Sequence, residues 1–236
     1  MQSSEKLIKI SSILLIIGCV QFLILTAIAM IFYRGGTYIN SSSLNYSFWL
    51  NFFSDLGRTV AHSGLSNTIS FIIFTFTLSS WGILQIPFYI VFIRFFIIGN
   101  NKNKLSIAGS ICGVINGILY VAIALTPSDI LGPPHNIFVV IGFSSIFLSN
   151  FFYFIVIVKN RNYNNVYGVF LIISAIIIVI YSVLIIFHDS RIPEGLLVFV
   201  SGQKIMIYSL LLCGIVQGIG ALKQIHSGKI LKKNKT

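Results

Sequence analysis

Long apolar runs separated by short polar connections set the plan of this chain. Six runs are long enough to cross a bilayer, which takes about 20 apolar residues in a helix. They fall at residues 7–32, 65–98, 105–126, 135–158, 166–187 and 196–222. The pattern predicts an all-α fold, a polytopic integral membrane bundle of six transmembrane helices. One membrane domain would cover residues 1–236, closing with a basic tail over 223–236. Ala27-Ile-Ala29 resembles a signal cleavage site, but the run around it exceeds a signal-peptide core, so it reads as an uncleaved first span. The run at 65–98 is too long for one upright span and too short for two. It reads as one tilted or kinked helix, with Pro87 at the kink.

Within the runs, small and amide side chains suggest how helices meet. Gly109, Gly113 and Gly117 recur every four residues, as do Gly214 and Gly218, a spacing that lets backbones approach closely. Asn116, Asn150 and Gln217 are expected to hydrogen-bond between helices.

The longest connection, residues 33–63, opens on Arg34-Gly-Gly and passes through Asn40-Ser-Ser-Ser43, which is loop chemistry. Phe48 and Trp49 suit the membrane interface. Ser54 is the expected N-cap of a short interfacial helix before the second span, with Asp55 in its first turn. On such a helix Asp55, Arg58 and His62 share a face.

Composition agrees with the membrane reading. The chain is 56% hydrophobic and 9% charged, with mean hydropathy +0.93; a soluble domain carries about 25% charged residues. The three cysteines, Cys19, Cys112 and Cys213, lie in apolar runs without CxxC spacing, which argues against a disulfide framework or structural zinc. The net charge of +11 is spread over short connections, so it argues against a nucleic-acid partner and for orientation. Twelve of the sixteen Lys and Arg residues fall on the side of the two termini. The expected placement is a multi-pass protein of the cell membrane, its partner the lipid bilayer and both termini cytoplasmic.

Four of the five acidic residues, Asp55, Asp129, Asp189 and Glu194, fall on the opposite, outer side with His62, His135 and His188. Lys204 lies about nine residues into the sixth run, roughly 13 Å along a helix. A charge at that depth must pair or snorkel. Pairing with Asp55 or Asp129 is one expectation and snorkelling the other. The expected polar cluster comprises Ser54, Asp55, Arg58, Asp129, His135, Gln203 and Lys204. As an alternative, Asp55, His62, His135 and His188 have the chemistry to ligate zinc, although no HExxH motif is present.

Several of these residues carry a resemblance. Ser54-Asp-Leu-Gly57 after an aromatic-rich loop, Thr126-Pro-Ser-Asp129 followed by His135, and the Gln203-Lys204 pair resemble the uncharacterised membrane family catalogued as domain of unknown function 998. The resemblance implies a six-span bundle with Ser54, Asp55, Gly57, Asp129, His135, Gln203 and Lys204 as marked positions, and no assigned reaction. Zinc-dependent membrane hydrolases of the alkaline ceramidase type are a further comparison. They have seven helices and a late HxxxH pair, and this chain has neither.

The leading functional expectation is an outer-facing polar pocket for a small polar ligand or lipid headgroup, with no cofactor and no catalytic residue assigned. The alternative is a metal-dependent hydrolase acting on lipid. A transporter comes third, its sign being a polar pathway at mid-membrane.

Overall fold

The computed structural model describes residues 2–98, 101–160, 162–187 and 191–226. Six helices, each long and apolar enough to cross a membrane, account for most of them. They are α1 (Gln2–Phe32), α2 (Thr68–Phe92), α3 (Lys104–Ala124), α4 (Gly132–Lys159), α5 (Asn165–Phe187) and α6 (Pro193–His226). The chain is therefore an integral membrane protein built as a six-helix bundle. A single 3-10 turn, Phe53–Gly57, stands before α2. A second, Ile93–Phe96, extends α2, and a two-residue antiparallel pairing joins Ile97–Ile98 to Asn101–Lys102. Pro87 lies inside α2, which continues to Phe92.

Gly132, Pro133 and Pro134 lie between the apolar runs at 105–126 and 135–158, yet they form the first turn of α4. Proline is tolerated there because the first-turn N–H groups have no helical acceptor. Pro193 opens α6 in the same way.

Each helix packs on its sequence neighbours, and α6 returns to α1, closing the ring. The glycine positions explain the close contacts. A methyl group on Gly82 of α2 would collide with the carbonyl of Gly117 of α3, and one on Gly117 would lie 2.7 Å from the Gly82 carbonyl. Gly113 is covered by the Tyr89 ring of α2, whereas Gly109 meets Tyr153 of α4. The glycine stripe of α3 thus serves two partners. Gly214 and Gly218 admit Cys19 and Ile16 of α1.

The amide side chains cross between helices. Gln85 Nε2 donates to Asn116 Oδ1 at 2.9 Å, and Asn116 Nδ2 donates to the Gly142 carbonyl at 3.0 Å, linking α2, α3 and α4. Asn150 Nδ2 donates to Ser174 Oγ, and Gln217 Nε2 to the Tyr167 carbonyl. Aliphatic side chains such as Ile72, Ile111, Val140 and Ile176 point away from the bundle, as a lipid-facing surface requires.

The two ends differ. At the terminal end, Arg94 Nη1 donates to Ser4 Oγ, and Gln224 Nε2 reaches the Asn162 carbonyl. At the other, residues 33–67 fold into a compact cap. Gly35 and Gly36 both have left-handed backbone (φ 86° and 79°). That geometry lets the Ser63 N–H donate to the Gly35 carbonyl and the Gly36 N–H to the Ser43 carbonyl.

Candidate functional site

The cap is fastened by buried polar groups, and Asp55 is the first. It sits in the 3-10 turn, 4% exposed. Its Oδ2 accepts from the Phe52 N–H at 2.9 Å and from Asn51 Nδ2 at 3.0 Å. Its Oδ1 lies 3.1 Å from His62 Nε2. An ionised carboxylate only accepts, so Nε2 carries the hydrogen. Ser54 is not the cap of this turn: Phe52 is the N-cap residue, and the Asp55 carboxylate reaches back to its N–H. Nor do Asp55, Arg58 and His62 share a helix face. The turn ends at Gly57 and Arg58 is extended, so the chain reverses to bring His62 back onto Asp55.

Asn51 is the hub. It is fully buried, and every polar atom of its side chain and its carbonyl is used. Nδ2 donates to the Gly36 carbonyl and to Asp55, and Oδ1 accepts from the Ser47 N–H. Its carbonyl accepts from Tyr46 Oη at 3.0 Å and from Lys204 Nζ at 2.6 Å.

Lys204 and Gln203 bring α6 into this network. Gln203 Oε1 accepts from the Phe53 N–H at 2.8 Å. The Lys204 ammonium is enclosed by the rings of Tyr46, Phe48 and Phe53, with centroids 5.4, 4.9 and 5.1 Å away. These are cation–π distances. Lys204 is 2% exposed, so it does not snorkel. It makes no ion pair with Asp55 or Asp129 within 4.0 Å. Asn51 relays the contact, its carbonyl on the ammonium and its amide on Asp55.

Asp129, in the α3–α4 connection, holds the far side of the cap. It accepts from Thr59 Oγ1 at 2.7 Å and from the Val60 and Thr59 N–H groups at 2.9 and 3.0 Å. Partial burial pushes its carboxyl up, but these hydrogen bonds outweigh it and hold the pKa below the ordinary aspartate value. Asn67, also fully buried, donates through Nδ2 to the Leu56 and Arg58 carbonyls. The Tyr33 hydroxyl accepts from the His62 N–H; burial foremost, then the nearby Asp55 charge, push its pKa up to about 12.

The remaining expected residues lie apart. His135 Nδ1 donates to the Thr126 carbonyl at 2.7 Å, tying the start of α4 to the end of α3. Arg58 Nε donates to the Val60 carbonyl on the exposed side of the cap. Of the zinc candidates, Asp55 and His62 meet, His135 is engaged elsewhere, and His188 lies outside the described residues, as does Asp189. Among the described residues, no three His, Cys, Asp or Glu side chains form a group suited to a metal.

An open concavity at this end is a groove of about 440 Å³ between the last turn of α1 and the first of α2. Ile31, Phe32, Leu65 and Ile69 give it apolar walls; Arg34, Asn45, Ser66 and Thr68 give it a polar rim. Arg34 is exposed and forms no ion pair within 4.0 Å among the described residues. Ser66 Oγ and Thr68 Oγ1 lie 2.9 Å apart beside it.

Sequence reasoning missed Asn51, Asn67 and the aromatic cage as organising features, and it missed this groove. An asparagine in a polar loop carries no mark of burial, and the groove joins residues about 35 positions apart that share no motif. Comparison with protein-family models, with curated proteins and with solved structures returned no match.

Proposed function

We propose that this protein binds a lipid headgroup at the outer membrane surface, in the groove between α1 and α2, and that both termini are cytoplasmic. The single observation that carries the reading is the amphipathic groove itself. An exposed guanidinium and two hydroxyls line its rim, and apolar side chains line its walls. A phosphate at Arg34 with an acyl chain along Ile31, Phe32 and Ile69 satisfies both surfaces at once. The polar cluster behind it has its hydrogen bonds turned inward on the cap. Its role in this reading is to hold Arg34 and the loop residues 44–45 in place, with Asn67 Oδ1 accepting from the Arg34 N–H at 3.4 Å. The excess of Lys and Arg on the terminal side supports the orientation.

The test is native mass spectrometry of the full chain released from nanodiscs containing equal phosphatidylglycerol and phosphatidylcholine. The wild type retains the anionic lipid. Arg34→Gln lowers its retention about fivefold, matching roughly 1 kcal/mol for one basic residue at the membrane surface. Arg58→Gln, outside the groove, leaves retention unchanged. Equal retention of both lipids by the wild type, or no difference between wild type and Arg34→Gln, overturns the reading.

A further inference from the structure

A second, more enclosed space lies at the centre of the bundle, far from the groove. Its volume is about 30 Å³, and all six helices contribute to its wall. The lining is aromatic with polar interruptions, including Gln85, Tyr120, Asn150 and Gln217. Two polar atoms here have no hydrogen-bond partner among the described residues, Tyr120 Oη and Gln217 Oε1. Both side chains are more than nine-tenths buried, at 2% and 4% exposed. Asn116 lies alongside Tyr120, but its hydrogen bonds go to Gln85 and Gly142 and none reaches Tyr120 Oη. The Gln217 amide is oriented by its Nε2 bond to the Tyr167 carbonyl, which leaves Oε1 as the unserved acceptor.

From these facts we infer that the cavity is a binding site for internal water, holding two molecules that serve Tyr120 and Gln217. A buried water needs roughly 10–15 Å³ and two to four polar partners. The volume therefore admits two waters and excludes a larger solute. A hydroxyl that lacks an acceptor and an amide oxygen that lacks a donor are matched by water, which is both. A dry cavity would leave two uncompensated polar groups in the low-dielectric centre of a membrane protein, where burial without a partner is most costly. The site is uncharged, with no acidic or basic side chain in its wall. It would join α3 to α6, two helices that are not neighbours in the ring.

The sign of a conservative substitution decides the matter. Tyr120→Phe keeps the ring and removes only the hydroxyl. If water occupies the site, the apparent Tm of the full chain in detergent falls by roughly 2–5 °C, the scale of one buried hydrogen bond in a chain of this length. Gln217→Met falls further, because it also removes the Nε2 bond to the Tyr167 carbonyl, and the double variant loses less than the sum because both changes break the same water-bound set. If the cavity is dry, Tyr120→Phe removes an unpaired polar group and the Tm rises, which overturns the inference. A second measurement does not depend on any variant. X-ray radiolysis of the wild type in ¹⁸O-labelled water places label on Tyr120 and Trp81 well above that on lipid-facing Phe76. Labelling of Tyr120 and Trp81 no greater than that of Phe76 overturns it also.

Discussion

Asn51→Ala is the most informative single change at the cap. The substitution keeps the backbone carbonyl that receives Lys204 and Tyr46, so those two contacts survive. It deletes three others, to the Gly36 carbonyl, the Ser47 N–H and Asp55 Oδ2. The two neutral bonds are worth about 1 kcal/mol each, and the one to the carboxylate about 1.5–3 kcal/mol. Asp55 Oδ2 still has the Phe52 N–H, so no bare carboxylate is left. Ser47 is only half-buried and can turn to water, whereas the Gly36 carbonyl is buried and cannot. The loss should come to about 3–5 kcal/mol. Most of it will appear as release of residues 33–67, because the helix contacts beneath are untouched. Limited proteolysis of the detergent-solubilised protein reads that release as faster cleavage within residues 37–49, and apparent Tm reads the global part. Ser54→Ala is the matched control and should change neither, since Ser54 does not cap the turn. An Asn51→Ala protein with wild-type cleavage and a Tm within about 2 °C of wild type would show that the network does not hold the cap.

Other substitutions follow from the same geometry. Lys204→Met gives up a charge-assisted hydrogen bond and its ring contacts but relieves a buried ammonium, and Asn51 keeps Tyr46 as donor; apparent Tm should correspond to a change within about 1 kcal/mol. Lys204→Ala also empties the aromatic cage and should cost about 2–5 kcal/mol by the same assay. The lowered pKa of Asp129 makes its clamp pH-dependent. Its contribution is complete above the ordinary aspartate pKa of about 3.9 and fades as pH falls through the lower folded-state value; in Asp129→Asn, cap proteolysis should lose that acid dependence. Gly36→Ala puts a methyl group against the Ser63 and His62 backbone at a left-handed φ, so faster cap cleavage is expected. Gly82→Val drives branched carbons into the Gly117 carbonyl and should separate α2 from α3, read as lost thermal stability.

The six helices were legible because membrane insertion writes itself into the sequence as unbroken apolar length. Their packing was partly legible too, since a glycine every fourth residue marks close approach, though not that Gly109 and Gly113 face different helices. The cap was harder. Asp55 and His62 do meet, but through a reversal of the chain after the turn ends at Gly57 rather than along a helix, and such a path has no periodicity to read. Lys204 was visible as a misplaced charge. Its carboxylate partner was the natural expectation from charge alone; the carbonyl and three rings that hold it come from a loop whose course only the fold determines.

The bond between Phe53 and Gln203 joins residues 150 positions apart. A ribosome adding about 5–20 residues per second needs roughly 8–30 s to make the intervening chain. During that interval the residues of the cap have been made, but the helix that fastens them through Gln203 does not yet exist. The α6 side of the cap therefore cannot form until the last helix has been made, although the cap itself is among the first parts to be translated. Until α6 arrives, the rings of Tyr46, Phe48 and Phe53 lack the Lys204 side chain that they enclose. A truncation that stops before Gln203 would leave a chain whose cap keeps its Asp129 and Asp55–His62 contacts but lacks its fastening to α6.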